Sequence, residues 1–136
     1  MKDNTFYVWL HPDFIQVDGT EVDAWERSID TIGRLPNSLL TMVTWNKQSP
    51  ARVGTNDLCN LYHKAQNVLG DRFTHWRNGQ FIEPKYQDLV LKMIGMKPIN
   101  QAVCYGLHPE WCGEDQKGYL EQMAVFDSVV NIGYAP

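Results

Sequence analysis

The chain has 136 residues, 43% of them hydrophobic and 21% charged, a composition that predicts one soluble globular domain over residues 1–136. Its formal charge is −4, and no apolar run approaches the roughly 20 residues of a membrane span, so a membrane-spanning role is not expected. Cys59, Cys104 and Cys112 are odd in number and lack CxxC spacing, which argues against a disulfide framework or zinc knuckle and for a reducing, cytoplasmic setting.

The first element is a strand, since TFYVWLH at 5–11 is aromatic and β-branched. A helix follows. Thr20 with Asp23 approximates a capping box, Val22, Trp25, Ile29 and Ile32 recur at helical steps, and Gly33 and Pro36 end it. SLLTMVTW at 38–45 is a continuous apolar run of strand length, as a buried strand requires. NKQSPARVG at 46–54 reads as a loop, after which Thr55 caps a second helix with its stripe at Leu58, Leu61, Tyr62, Ala65, Val68 and Leu69, closed by Gly70.

The next stretch, DRFTHWRNGQFIEP, places Asn78-Gly79 between two aromatic-bearing runs, so a β-hairpin pairing 72–77 with 80–83 is predicted. Pro84 opens a third helix with Tyr86, Leu89, Val90 and Met93 on one face, ending near Gly95 and Pro98. INQAVCYGL at 99–107 is a strand. A last helix begins near Glu114, with Tyr119, Leu120, Met123 and Phe126 inward, and VVNIGY at 129–134 is a final strand. This alternation predicts an α/β layered domain: a mixed, largely parallel sheet of about five or six strands, four helices and one inserted hairpin, with an α+β arrangement as the alternative.

Charge is distributed unevenly. Residues 1–45 carry three basic and seven acidic side chains, residues 46–97 eight and four, and residues 98–136 one and five. A basic middle between acidic flanks can set up a bipolar surface field.

The sharpest pattern is a pair of corners. VWLHPDF at 8–14 and YGLHPEW at 105–111 each run from a strand into Leu-His-Pro, a carboxylate and a large aromatic. Matches continue at the same offset, Val22 with Tyr119, Ile29 with Phe126 and Asp30 with Asp127, which suggests a strand–helix–strand unit used twice, over 5–45 and 99–134. Proline alone explains part of this, because it biases the preceding histidine toward extended geometry and terminates a ladder.

If the two strands are parallel neighbours, His11, Asp13, His108 and Glu110 converge on one crevice at their carboxyl ends. Two imidazoles and two carboxylates suit Zn²⁺ or Mn²⁺, whose bound water would become a hydrolytic nucleophile; without metal the same groups can share acid and base roles. The paired histidines resemble those of two-histidine phosphoesterases, but that family carries a hydroxyl residue two places after each histidine, where Asp13 and Glu110 stand here.

A second candidate surface is the expected hairpin, where Arg72, His75, Arg77 and Lys85 stand beside aromatics including Trp76 and suit a nucleic-acid or other phosphate-bearing ligand. Cys112 sits at an expected helix N-terminus, where a thiol pKa falls, while Cys59, Cys104 and His63 read as packing residues. No GxGxxG, GxxxxGK[ST] or GxSxG fingerprint is present.

These readings favour a small, cofactor-free binding or regulatory protein, of inhibitor or accessory type, that recognises another macromolecule, foremost another protein; its acidic and basic lobes are also compatible with a homo-oligomer. The alternative is a metal-assisted hydrolase of phosphate esters or nucleotides.

Overall fold

A computed structural model describes residues 1–13, 19–47, 56–95, 97–106 and 108–134. Phe14, Thr55, Leu107 and the side chain of Thr20 lie outside them. Five strands form one sheet: β1 (Thr5–Leu10), β2 (Leu39–Val43), β3 (Phe73–Trp76), β4 (Gln101–Gly106) and β5 (Ser128–Asn131). Their spatial order is β3-β2-β1-β4-β5, and every pairing is parallel. The α/β expectation holds, with the sheet wholly parallel rather than mixed.

Four α-helices among the described residues cover the sheet: α1 (Gly19–Gly33), α2 (Asn56–Leu69), α3 (Gln87–Ile94) and α4 (Glu114–Gln122). The central strand β1 is buried along its whole length, TFYVWL, because helices cover both its faces. It therefore reads as a continuous apolar run instead of an alternation.

On one face Tyr7, Trp9, Leu40, Met42, Val103 and Tyr105 pack against Trp25, Ile29 and Ile32 of α1 and Leu58, Leu61 and Ala65 of α2. On the other, Phe6, Val8, Leu10, Val43 and Trp76 pack against Val90 and Ile94 of α3 and Leu120 and Met123 of α4. Each such large side chain contributes about 1.5–3 kcal/mol on burial.

The predicted hairpin does not form. Residues 80–83 belong to no strand, and β3 instead pairs parallel with β2, Leu40 opposite Phe73 and Val43 opposite Trp76. Neither Asn78 nor Gly79 takes the positive φ that a two-residue hairpin turn requires. Other contacts hold the segment after β3. Gln116 of α4, fully buried, accepts from the Ile82 N–H and donates to its carbonyl, both at 2.8 Å, so one amide side chain satisfies both backbone groups as a neighbouring strand would.

Smaller expectations also shift. Leu89 is exposed on α3, whose buried residues are Val90 and Ile94, an i, i+4 pair. Val68 is exposed, and His63 lies in solvent. The last helix ends before Phe126, which stacks on Phe6 at 6.0 Å between ring centroids. Cys104 is buried as expected, whereas Cys59 is only partly so.

Candidate functional site

Strand order reverses between β1 and β4: the chain moves outward from β1 through β2 and β3, then returns to β4 on the other side. In open parallel sheets this is where the loops diverge and leave a crevice at the carboxyl ends of the strands. The two Leu-His-Pro corners stand there, because β1 and β4 are neighbours with Leu10 opposite Gly106. Both histidines leave their strands in the left-handed region, His11 at φ 52° and His108 at φ 49°. Non-glycine residues seldom adopt that conformation, and it turns each side chain out of the pleat alternation.

Gly106 makes the close approach possible. It has φ +126°, and a Cβ there would collide with the backbone carbonyl of Leu10. Only glycine fits both the dihedral and the space.

His11 is fully buried. Its backbone N–H continues the β1–β2 pairing by donating to the Val43 carbonyl at 2.7 Å. Its Nε2 lies 2.6 Å from the Gln80 carbonyl, an acceptor only, so the proton resides on Nε2. Nδ1 then carries the lone pair, buried and without a hydrogen-bond partner among the described residues. Burial lowers the pKa of this imidazole, the Gln80 bond and Asp13 oppose that effect, and the charge of His108 adds to it. His11 is thus a neutral ring, held edge-on between Trp45 and Phe81 with centroids at 5.2 Å from each.

Asp13 spans the gap to β2. Its carboxylate accepts from the N–H of Trp45 at 2.8 Å and of Asn46 at 2.7 Å, fixing the turn that follows β2. From there a hydrogen-bonded chain runs to β3. Arg77 Nε donates to His75 Nδ1 at 3.1 Å, His75 Nε2 donates to Thr44 Oγ1 at 2.7 Å, and Thr44 donates to the Asn46 carbonyl. Arginine only donates, so its contact assigns the His75 tautomer and every bond after it. Burial first, and then the Arg77 charge, lower the His75 pKa to about 4.

The second corner is more open. His108 is partly buried, and its carbonyl accepts from Trp111 N–H at 3.0 Å and Gly113 N–H at 3.2 Å, closing a π-type turn over Pro109–Gly113. Trp111 lies against the His108 ring at 5.3 Å and is 66% exposed; Trp45 beside His11 is 42% exposed. Each corner thus presents a histidine backed by a tryptophan.

The structure places His11, Asp13, His108 and Glu110 at the same edge but not as a ligand set. Among the described residues no three His, Cys, Asp or Glu side chains form a group that could hold a metal ion. The reason is visible in the contacts: Asp13 is committed to two backbone amides, His11 Nε2 to Gln80, and Glu110 is exposed on its turn. Cys112 is also not activated, since burial and then Asp115 raise its thiol pKa.

The second predicted surface, Arg72, His75, Trp76, Arg77 and Lys85, is dispersed. Trp76 is core. Arg72 donates to the carbonyls of Ile32, Gly33, Leu35 and Ser38, tying off the end of α1. Lys85 pairs with Glu83 at 3.2 Å. Only His75 and Arg77 reach the carboxyl edge. Sequence reasoning passed over Thr44, Trp45 and Gly106; the signal available was the glycine ending an otherwise apolar strand.

Among the described residues no helix is long and apolar enough to cross a membrane. Compared with known proteins, the chain matches no family model, no curated sequence and no solved structure.

Proposed function

We propose that this protein is a binding module of the accessory or inhibitor type that recognises another protein through the carboxyl edge of its sheet. The observation that carries the reading is the pairing of exposed Trp111 with His108 and of exposed Trp45 with His11, the two histidines lying just beyond the carboxyl ends of adjacent strands β4 and β1, where the strand order reverses. Large aromatics held in one orientation by a neighbouring ring lose little entropy on contact, the property that makes tryptophan a frequent anchor at protein interfaces.

Charge supports a protein partner over a polyanion. Exposed Lys47 and Arg77 lie at the β2–β3 end of the edge, and exposed Glu110, Glu114 and Asp115 at the β4 end, so the edge is bipolar. Two cations of the basic middle segment are paired within the chain, Lys64 with Asp30 at 3.0 Å and Lys85 with Glu83 at 3.2 Å, and the Arg72 guanidinium is occupied by backbone carbonyls. The metal-assisted hydrolase alternative lacks a point among the described residues where three ligands meet.

The test is a peptide-display selection on immobilised protein, with affinities of the selected peptides measured against variants. Trp111→Ala and Trp45→Ala are expected to weaken binding by at least about 1 kcal/mol each, roughly fivefold or more. Leu89→Ala, on the exposed side of α3, is expected to leave it unchanged. Binders indifferent to both tryptophans would place recognition elsewhere, and phosphodiesterase turnover with added Mn²⁺ or Zn²⁺ that depends on His11 and His108 would replace this reading with the hydrolase.

A further inference from the structure

The two edges of the sheet differ in how they are protected. Both edge strands are four residues long, and the β3 edge ends at the exposed, charged Arg77. Charge of this kind discourages a foreign strand from pairing. The β5 edge has no such device: Ser128-Val-Val-Asn-Ile-Gly-Tyr134 contains no charged residue and no proline. Among the described strands β5 pairs only with β4.

Peptide groups alternate sides along a strand, and the Ile132 N–H points inward to the Cys104 carbonyl at 3.0 Å. Ser128 and Val130 share that direction, so the N–H and C=O of Val129 and Asn131 face outward. The open face beside them is largely apolar: Val130 is 40% and Ile132 42% exposed, and Met1, Tyr7, Val103 and Ile132, with Lys2 and Gln101, line a cavity of about 290 Å³. Helices α1 and α2 pack on β1, β2 and their neighbours on this face without covering β5.

We propose that β5 is a self-association edge, on which a second copy of this chain pairs its own β5 antiparallel about a two-fold axis at Val130. That register is the one the outward groups allow. Val129 of one copy faces Asn131 of the other and exchanges both N–H···O bonds with it, and the reverse pair does the same. The two Val130 residues then form a non-hydrogen-bonded pair with Cα atoms about 4.5 Å apart. Each Ile132 lies opposite the other copy's Ser128.

Charge selects a second copy as the occupant. An uncharged strand can meet its own image without placing like charges opposite each other, which would destabilise the pair. Glu114 is held by the Asn131 side chain at 3.2 Å, and the carboxylate next to β5 in sequence, Asp127, precedes the strand at one end only. Antiparallel pairing separates the two copies of it by about 20 Å, six residue steps, whereas parallel pairing would bring them together. In the resulting two-fold dimer one sheet runs through both copies, and the two carboxyl edges face opposite ways. The inference rests on a different edge from the proposed recognition surface and stands independently of it.

Light scattering after size exclusion, from low to high micromolar chain, tests it. Wild-type protein is expected to become dimeric as concentration rises. Val130→Lys places two ammonium groups at the dyad and is expected to abolish the dimer while circular dichroism stays native. Leu91→Lys, an equally exposed apolar position on α3, is expected to leave association intact. As a second arm, Val130→Cys should form a disulfide-linked dimer under mild oxidation, and Leu89→Cys should not. A wild-type chain monomeric throughout, a dimer as stable in Val130→Lys as in Leu91→Lys, or a Val130→Cys chain that cross-links only to a different protein would each overturn the proposal.

Discussion

Mild acid should destabilise this protein through His75, within a window that the structure defines. The native ring accepts a hydrogen bond from Arg77 on Nδ1, so a proton arriving there would displace that bond and face a guanidinium. Burial first, and then that guanidinium, lower its native pKa to about 4, against 6.5 for the unfolded chain. A lowered histidine pKa stabilises the native state fully above 6.5, and that stability is lost as pH falls toward the native value. Across the window the unfolded chain binds a proton that the native state does not, at about 1.4 kcal/mol per pH unit, giving an upper limit of about 3.5 kcal/mol. The ring is partly exposed, and screening by solvent brings the expected loss to about 1–3 kcal/mol. His11, lowered chiefly by burial, acts in the same direction. The carboxylates enter later. Burial would raise the pKa of Asp3, but hydrogen bonds from Asn4, Ser38 and Asn37 outweigh it and hold the value below 3.8, so its contribution fades only beneath that pH. Urea unfolding followed by tryptophan fluorescence at pH 7.5, 6, 5 and 4.5 should show the decline, and His75→Gln should flatten most of it. A native His75 that titrates near 6.5 by NMR, or an unchanged slope in His75→Gln, would refute the argument.

Three further outcomes follow from packing. Gly106→Ala combines a φ of +126° with a clash against the Leu10 backbone, so a loss of about 3 kcal/mol or more is expected in chemical denaturation. Gln116→Leu should leave the buried N–H and C=O of Ile82 without partners, costing about 2–4 kcal/mol and increasing amide exchange at Ile82. Arg72→Ala removes the donor to four carbonyls at the end of α1 and should lower stability by about 2–3 kcal/mol, with Arg72→Lys recovering only part, because an ammonium cannot reproduce the planar fork.

The alternation of strand and helix, the stripe Trp25, Ile29 and Ile32, and the continuous run TFYVWL could all be read from the chain, because periodicity and composition are local and burial on two faces leaves no polar alternation. The two Leu-His-Pro corners could be read as strand exits too, but both histidines leave in the left-handed region, not in the extended geometry that a following proline favours. The fate of Asn78-Gly79 could not be read this way. A local turn preference worth little lost to the parallel pairing of β3 with β2 and to Gln116, a residue 34 positions from Ile82 whose role no local pattern announces. The site divides along the same line. The sequence supplied His11 and His108, but only the adjacency of β1 and β4 brought them to one edge, and only the committed contacts of Asp13 and Gln80 decided that they do not form a metal cage. Trp45 enters the site because the β2 register carries it beside His11. Such contacts join residues distant in the chain, so they follow from strand order and register, which depend on the summed packing of both faces rather than on any short stretch.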